Sequence, residues 1–368
     1  MTKPNLGVLG AGLMGGGIAL DAARHGIDVL LYDARPDAVE RLKARAAKTY
    51  ERWVSANRMS ADDAQAALAR IHGARDLAAL GARDLIIEAV FEDLAVKRAL
   101  FAQLAPHIAP GGIIATNTSA LKVSDIADVL PDPARFLGLH YFSPAEVSPL
   151  VEVVRAAKTS AETVARALAF LEQTRRVPLR CADTPGFVVN RFFCPYYNEA
   201  AHIVQDLRAT PSEVDAVARA RLGVAAGPFK VMNLIGPAVA AHAMENLFPL
   251  GPFYGACAAL VRQGESGAAW EVSEDAAPSP EIADEIEQRL LGALFVPALE
   301  LLNAGAATPA DMDKGAQLAL RFTLGPCALM ERAGPAAVEA TIIRLCARDG
   351  HSKPALFDLQ PSRAGRAS

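Results

Sequence analysis

The sequence predicts a chain in two parts: an α/β half built on a mostly parallel sheet, then an all-α half made of one helical unit written twice. Three observations predict it. Short aliphatic and β-branched runs alternate with helical stretches as far as Arg180, the pattern of strands joined by crossover helices. The first of these runs leads directly into a glycine-rich turn. Beyond Thr184 the periodicity is helical throughout, and short motifs return at a fixed offset.

The first strand-like run, Leu6-Gly7-Val8-Leu9, opens into Gly10-Ala11-Gly12-Leu13-Met14-Gly15 and a helix that ends near His25-Gly26. A second run, Asp28 to Asp33, closes on an acid 23 residues after Gly10. A lone GxGxxG says little. Strand, glycine turn, helix, strand and terminal acid together are the dinucleotide-binding fingerprint of a Rossmann-like domain. Gly10 permits the tight turn, Gly12 lets a pyrophosphate approach the backbone, and Gly15 lets the helix pack on the sheet. The helix N-terminus offers unpaired N–H groups to the phosphates. Asp33 is placed to accept hydrogen bonds from the adenosine ribose, and its charge favours NAD over NADP. Arg35 is the counter-argument, since an arginine there can accommodate a 2′-phosphate.

From Arg35 to about Ile71 the pattern is helical and charged, with Ser60-Ala61-Asp62-Asp63 as a second helix start. This is longer than an ordinary crossover, so a helical pair is expected to project from the sheet. Its basic residues could meet a phosphorylated substrate tail, or simply face water. Asp84 to Val90 reads as a parallel strand, Leu94 to Leu104 as a helix carrying Lys97, and Gly111 to Thr116 as the next strand. Ligands of open parallel sheets lie beyond the carboxyl ends of strands. Glu92, Lys97 and Asn117 are therefore cofactor candidates, and Ser119 a substrate candidate. By spacing alone, Asn117-Thr118-Ser119 reads better as a turn or N-cap than as a ligand site.

His140 and Glu152, twelve residues apart, lie in two further strand-like runs, Gly138 to Phe142 and Leu150 to Val154, with a Pro/Ser/Ala loop between them. Taken alone, such a pair is more often structural than catalytic. An alcohol, however, loses its proton poorly without a base that titrates near neutrality, and histidine is that base. A carboxylate beside it would fix the ring tautomer and stabilise the imidazolium.

These segments resemble the L-3-hydroxyacyl-CoA dehydrogenases. The likeness is carried by Gly10 to Ala19, Glu88-Ala89-Val90-Phe91-Glu92, Thr116 to Ser119, Gly138-Leu139-His140-Tyr141-Phe142-Ser143-Pro144 and Asp183-Thr184-Pro185-Gly186-Phe187-Val188-Val189-Asn190-Arg191. The form His-Tyr-Phe-Ser-Pro is similar to the dehydrogenase part of multifunctional fatty-acid oxidation proteins; single-function members more often carry Asn where Ser143 stands. The resemblance implies that His140 is the general base, Glu152 its orienting carboxylate, and Ser119 and Asn190 the residues that hold the substrate oxygen. It implies NAD contacts at Gly10, Gly12, Leu13, Met14, Gly15, Asp33, Val90, Glu92, Lys97, Asn117 and Ser143. An acyl-CoA thioester is the implied substrate, with a free 3-hydroxy acid or a carrier-bound hydroxyacyl group as the alternative. A cofactor-binding protein with a purely structural role would not need all four of Ser119, His140, Glu152 and Asn190.

In the second half, Ala209-Thr210-Pro211 recurs as Ala307-Thr308-Pro309, an offset of 98 residues (307 − 209). At the same offset Asp215 meets Asp313, Gly227-Pro228 meets Gly325-Pro326, and Gly236-Pro237-Ala238 meets Gly334-Pro335-Ala336. Two copies of one unit, packed about a pseudo-twofold axis, are expected. Because single-copy relatives dimerise through this region, the chain is expected to be a monomer with an internal pseudo-dimer, or a homodimer. The expected divisions are an NAD-binding domain over 1–183, a first helical domain with linker over 184–286, a second over 287–360, and a short polar, disordered tail over 361–368. The linker from Gly264 keeps only Trp270 of the family's usual aromatic pattern.

Composition bounds the rest. A net charge of −4 and pI near 6.0 give no global basic field for nucleic acid. Five scattered cysteines without a CxxC argue for reduced thiols and against a metal site. The N-terminus has no signal-peptide pattern and no apolar run is long enough for a membrane span, so a cytoplasmic protein is expected.

Overall fold

The computed structural model describes residues 4–207, 209–273 and 276–359. The chain divides into two compact units, the first ending at Thr184 and the second beginning at Pro185.

The first unit runs β1 (Leu6–Leu9), α1 (Leu13–Arg24), β2 (Val29–Tyr32), α2 (Ala38–Ser55), α3 (Ala61–Ala69), β3 (Ile71–Gly73), β4 (Leu85–Glu88), α4 (Leu94–Leu104), β5 (Ile113–Thr116), α5 (Val123–Ala127), β6 (Phe136–Tyr141), β7 (Leu150–Arg155), α6 (Ala161–Gln173) and β8 (Val177–Ala182). The strands form one sheet in the order β3-β2-β1-β4-β5-β6-β7-β8. It is parallel except where β7 turns back on β6. The central strands β1, β4 and β5 are buried along their whole length, which is why they read as unbroken apolar runs. Helices cap as their sequences dictate: Ser60, Asp93 and Ser160 each accept a backbone N–H three residues on.

The stretch read as helical to about Ile71 is helical to Ala69, and a short strand that the sequence reading did not include, β3, follows and pairs with β2. One expectation changes. The charged α2–α3 pair does not project from the sheet. Its inner face, Leu42, Ala46 and Tyr50, joins the core, and the Tyr50 hydroxyl donates to Leu20 O at 2.7 Å, laying the pair down on α1. Most of the charged residues that dominate its sequence lie on the outer face, while Thr49 is buried with the inner one.

The second unit contains α7 (Val189–Leu207), α8 (Pro211–Val217), α9 (Pro228–Ile235), α10 (Pro237–Glu245), α11 (Ala258–Ser266), α12 (Pro280–Asn303), α13 (Pro309–Leu320), α14 (Pro326–Ala333) and α15 (Pro335–Asp349). The repeat is physical as well as textual. Thr210 and Thr308 cap α8 and α13. Asp215 accepts the N–H groups of Phe229 and Lys230 at 2.8 and 3.0 Å, and Asp313 those of Cys327 and Ala328 at 2.8 and 3.1 Å. These carboxylates fill the space that a side chain at Gly227 or Gly325 would need. The two copies meet reciprocally: Ala225 N–H donates to Arg321 O, and Thr323 N–H, offset by 98, donates back to Gly223 O. Across the long helices Arg191 pairs with Glu300, and its equivalent Arg289 pairs with Glu199. The bridge Val224–Phe322 is the one departure from all-helical structure among the described residues of this unit. No helix among the described residues is long and apolar enough to cross a membrane, and the expected tail at 361–368 lies outside them.

Candidate active site

The strand order reverses direction between β1 and β4, and a cleft of about 520 Å³ opens at their carboxyl ends. Leu9, Gly10, Gly12, Asp33, Val90 and Phe91 are among its walls. Gly10 has φ +96°, and an added Cβ would lie 2.6 Å from Ala89 O, so only glycine makes this turn. Gly15 is buried with its Cα against Gly10 O. At Gly12 an added Cβ would meet nothing within 4 Å. Open space over the N-terminus of α1 is what a pyrophosphate requires.

Asp33 stands at the end of β2. Its carboxylate accepts the Ala11 N–H at 2.8 Å and the Arg35 N–H at 2.9 Å, and Arg35 Nε lies 3.2 Å away. Burial opposes ionisation, but the hydrogen bonds from Arg35 and Ala11 outweigh it and hold the carboxyl below its usual range. Arg35 is thus tied to Asp33. Leu13 is exposed and Met14 half-buried against the core.

At the next two strand ends a buried charge network organises the loops. Lys97, 1% exposed, donates to Glu88 Oε1 at 2.6 Å and lies 3.2 Å from Glu92 Oε2. Glu88 also accepts Val90 N–H at 2.7 Å and Thr116 Oγ1 at 2.6 Å. The other Glu92 oxygen accepts Thr118 Oγ1 at 2.5 Å and the N–H groups of Ser119 and Ala120 at 2.8 and 3.2 Å. Desolvation would raise the Glu92 carboxyl, but the Lys97 ammonium and these donors hold it below the carboxylate range. Two carboxylates therefore share one ammonium, each completed by neutral donors, as a buried network must be. Glu92 fixes the Thr118–Ser119 turn, and Lys97 fixes Glu92. Sequence reading marked Glu92 and Lys97 but missed Glu88. The available signal was a carboxylate at the end of a strand buried on both faces, nine residues before a lysine.

Asn117 Oδ1 accepts the Tyr141 N–H at 2.8 Å and ties the β5 end to β6. The β5–β6 register, Thr116 opposite Gly138, brings Ser119 and His140 to the same sheet edge. His140 lies directly opposite Glu152 in the antiparallel β6–β7 ladder. Their side chains meet, Nδ1 to Oε2, at 2.7 Å and are 7% and 0% exposed. Because a carboxylate only accepts, this contact puts the proton on Nδ1 and turns Nε2 away from Glu152. Phe142 packs on the imidazole, ring centroids 4.6 Å apart. Ser143 is exposed in the loop that follows. Asn190 lies in the other unit, on the first turn of α7.

The comparisons with known proteins agree with this layout. The family model for the NAD-binding domain of 3-hydroxyacyl-CoA dehydrogenase matches residues 5–184, and the model for that family's C-terminal domain matches 186–268 and again 286–365. The chain is 41% identical over 229 residues to 3-hydroxyadipyl-CoA dehydrogenase of Escherichia coli K12, a match covering 62% of this chain and 48% of that protein. It thus spans about half that relative's length. A probable 3-hydroxybutyryl-CoA dehydrogenase of Deinococcus radiodurans is 36% identical over 241 residues, 66% of this chain and 86% of its own. The crystal structure of 3-hydroxybutyryl-CoA dehydrogenase from Escherichia coli K12 superposes with a TM-score of 0.85 at 26% identity, covering 98% of both chains. With an NAD-binding unit followed by two copies of the C-terminal domain, the chain belongs to the 3-hydroxyacyl-CoA dehydrogenase family.

Proposed function

We propose that this chain catalyses oxidation of an L-3-hydroxyacyl-CoA to the 3-ketoacyl-CoA with NAD, and the reverse reduction. The observation that carries the reading is the buried His140–Glu152 pair, 2.7 Å apart, at the sheet edge beside the dinucleotide cleft. NAD, when bound there, supplies the hydride acceptor. His140 takes the hydroxyl proton on Nε2 as the hydride leaves C3, and in the reverse direction returns it. Glu152 holds the ring by Nδ1 and offsets the charge that the imidazole gains. Ser119 and Asn190 hold the C3 oxygen. Gly10, Gly12, Leu13, Met14, Gly15, Asp33 and Val90 bind the adenosine end of NAD and its pyrophosphate. Glu92, Asn117 and Ser143 serve the nicotinamide end, with Lys97 acting through Glu92. The reciprocal contacts between the two helical copies support a monomer in which the second copy takes the place of a partner subunit.

The test compares acetoacetyl-CoA, acetoacetate and a carrier-bound acetoacetyl thioester as oxidants of NADH. The reading expects acetoacetyl-CoA to be strongly preferred. Equal turnover of the free acid would remove CoA from the function, and preference for the carrier thioester would replace it.

A further inference from the structure

Helix α7 begins on an unusual turn. Gly186 and the non-glycine Phe187 both have positive φ, +72° and +48°, and Arg191 N–H closes the turn onto Gly186 O at 3.0 Å. A left-handed aromatic residue is strained and persists only where its surroundings over-determine it. One constraint is burial, Phe187 being 1% exposed. Another is a clamp on Arg191. Its Nε donates to Tyr254 Oη at 3.0 Å, its Nη2 donates to Glu300 Oε2 at 2.9 Å, and its guanidinium lies 4.7 Å from the Tyr254 ring centroid. The Tyr254 hydroxyl donates to the same Glu300 oxygen. His351 Nε2 sits 2.6 Å from the other oxygen and its ring stacks on Phe253, centroids 5.0 Å apart. The Arg191, Glu300 and His351 side chains are 11%, 21% and 13% exposed, so the cluster is held largely out of water. Burial alone would raise the Glu300 carboxyl, but the hydrogen bonds from His351, Tyr254 and Arg191 keep it below the usual carboxylate range.

Proton and hydride transfer use none of these groups. Arg191, however, directly follows Asn190. We propose that Glu300 and His351, both from the second helical copy, are positioning residues for Asn190. By gripping Arg191 they fix the rotation and depth of the first turn of α7, and so the direction in which the Asn190 amide is presented. The second copy carries Gln288 where the first carries Asn190; its contribution to the chemistry is made through this grip. The proposal rests on the reading that Asn190 holds the substrate oxygen, and a misplacement of about 1 Å there can lower rate by about a hundredfold.

The experiment uses the full chain as wild type, Glu300→Gln, His351→Phe, Asn190→Ala and Asn190→Ala/Glu300→Gln. Turnover and KM for acetoacetyl-CoA are measured with NADH, and the NADH dissociation constant by fluorescence titration. Glu300→Gln should lower kcat/KM by about 10-fold or more, with NADH binding unchanged. His351→Phe keeps the stacking on Phe253 and removes only the hydrogen bond; it should give a smaller loss in the same sense. In the Asn190→Ala background Glu300→Gln should add less than about twofold, because the group it positions is gone. Losses that multiply, or full turnover in both clamp variants, overturn the proposal. If Asn190→Ala itself retains full turnover, the reading of Asn190 fails first and the proposal fails with it.

Discussion

Replacing Glu152 with Gln isolates the charge of the His140–Glu152 pair from its geometry. Glutamine has the same volume, and its Oε1 still accepts the Nδ1–H, so the ring stays oriented opposite β7. What is lost is the attraction between a carboxylate and the imidazolium formed as the substrate proton arrives. Two unit charges about 4 Å apart attract by about 1 kcal/mol in water and about 4 kcal/mol at an effective dielectric constant of about 20. With the side chains 7% and 0% exposed, the pair lies nearer the second figure. Each 1.36 kcal/mol is tenfold in rate, so kcat should fall by about 10- to 1000-fold. His140→Ala should cost at least about a hundredfold through loss of the base itself. The assay is NADH consumption with acetoacetyl-CoA, alongside NADH binding by fluorescence, which both variants should preserve because neither residue lines the β1–β4 cleft. Turnover of Glu152→Gln within about twofold of wild type would refute the electrostatic role.

Three further outcomes follow from the structure. Asp33→Ala removes the proposed ribose acceptor and releases Arg35; KM for NADH should rise by about tenfold and KM for NADPH should fall, and an unchanged ratio would remove Asp33 from cofactor selection. Gly227→Ala and Gly325→Ala each drive a methyl group into an aspartate, the buried Asp215 or the half-buried Asp313, and each should lower stability in urea by about 1–3 kcal/mol; normal stability in either would contradict the packing described here. Arg176 Nε donates to Asp21 Oδ2 at 2.6 Å, the two residues being 5% and 1% exposed, so Arg176→Met leaves the buried carboxylate only Arg24 and His25 and should destabilise by about 1–3 kcal/mol. Burial pushes the Asp21 carboxyl up, but hydrogen bonds from His25 and Arg176 and the charges of Arg176 and Arg24 bring it below its ordinary 3.8. The stabilisation from Asp21 is therefore complete above about pH 5 and lost as pH falls through the lowered value. Urea titrations from pH 6 to pH 3 should show that loss, and Asp21→Asn should flatten it.

Legibility in the sequence followed the range of the interaction. The dinucleotide fingerprint is local: strand, turn and helix lie within one continuous segment, and the backbone demands of Gly10 and Gly15 show as glycine wherever they occur. Ser60 announces its helix because a cap bonds three residues along the chain. The α2–α3 pair was misplaced because the charges on its outer face outnumber the few residues, Leu42, Ala46 and Tyr50, that decide where it packs. The strand β3 was missed because three residues carry too little periodicity to separate from the helix before them.

The sequence by itself determined the nucleotide-binding half, the doubled helical half, and the identity of His140 and Glu152 as the ionisable pair, since each is written in periodicity, spacing or a repeated motif. Only the tertiary structure decided that His140 and Glu152 face each other, because a one-residue slip between β6 and β7 would have put them on opposite faces of the sheet. It also decided that Lys97 is shared by Glu88 and Glu92, and that Arg191 is gripped by a glutamate 109 residues away. Those contacts join strands or helices whose side chains meet only after the backbone has chosen its register and packing. No pattern of neighbours along the chain encodes that choice.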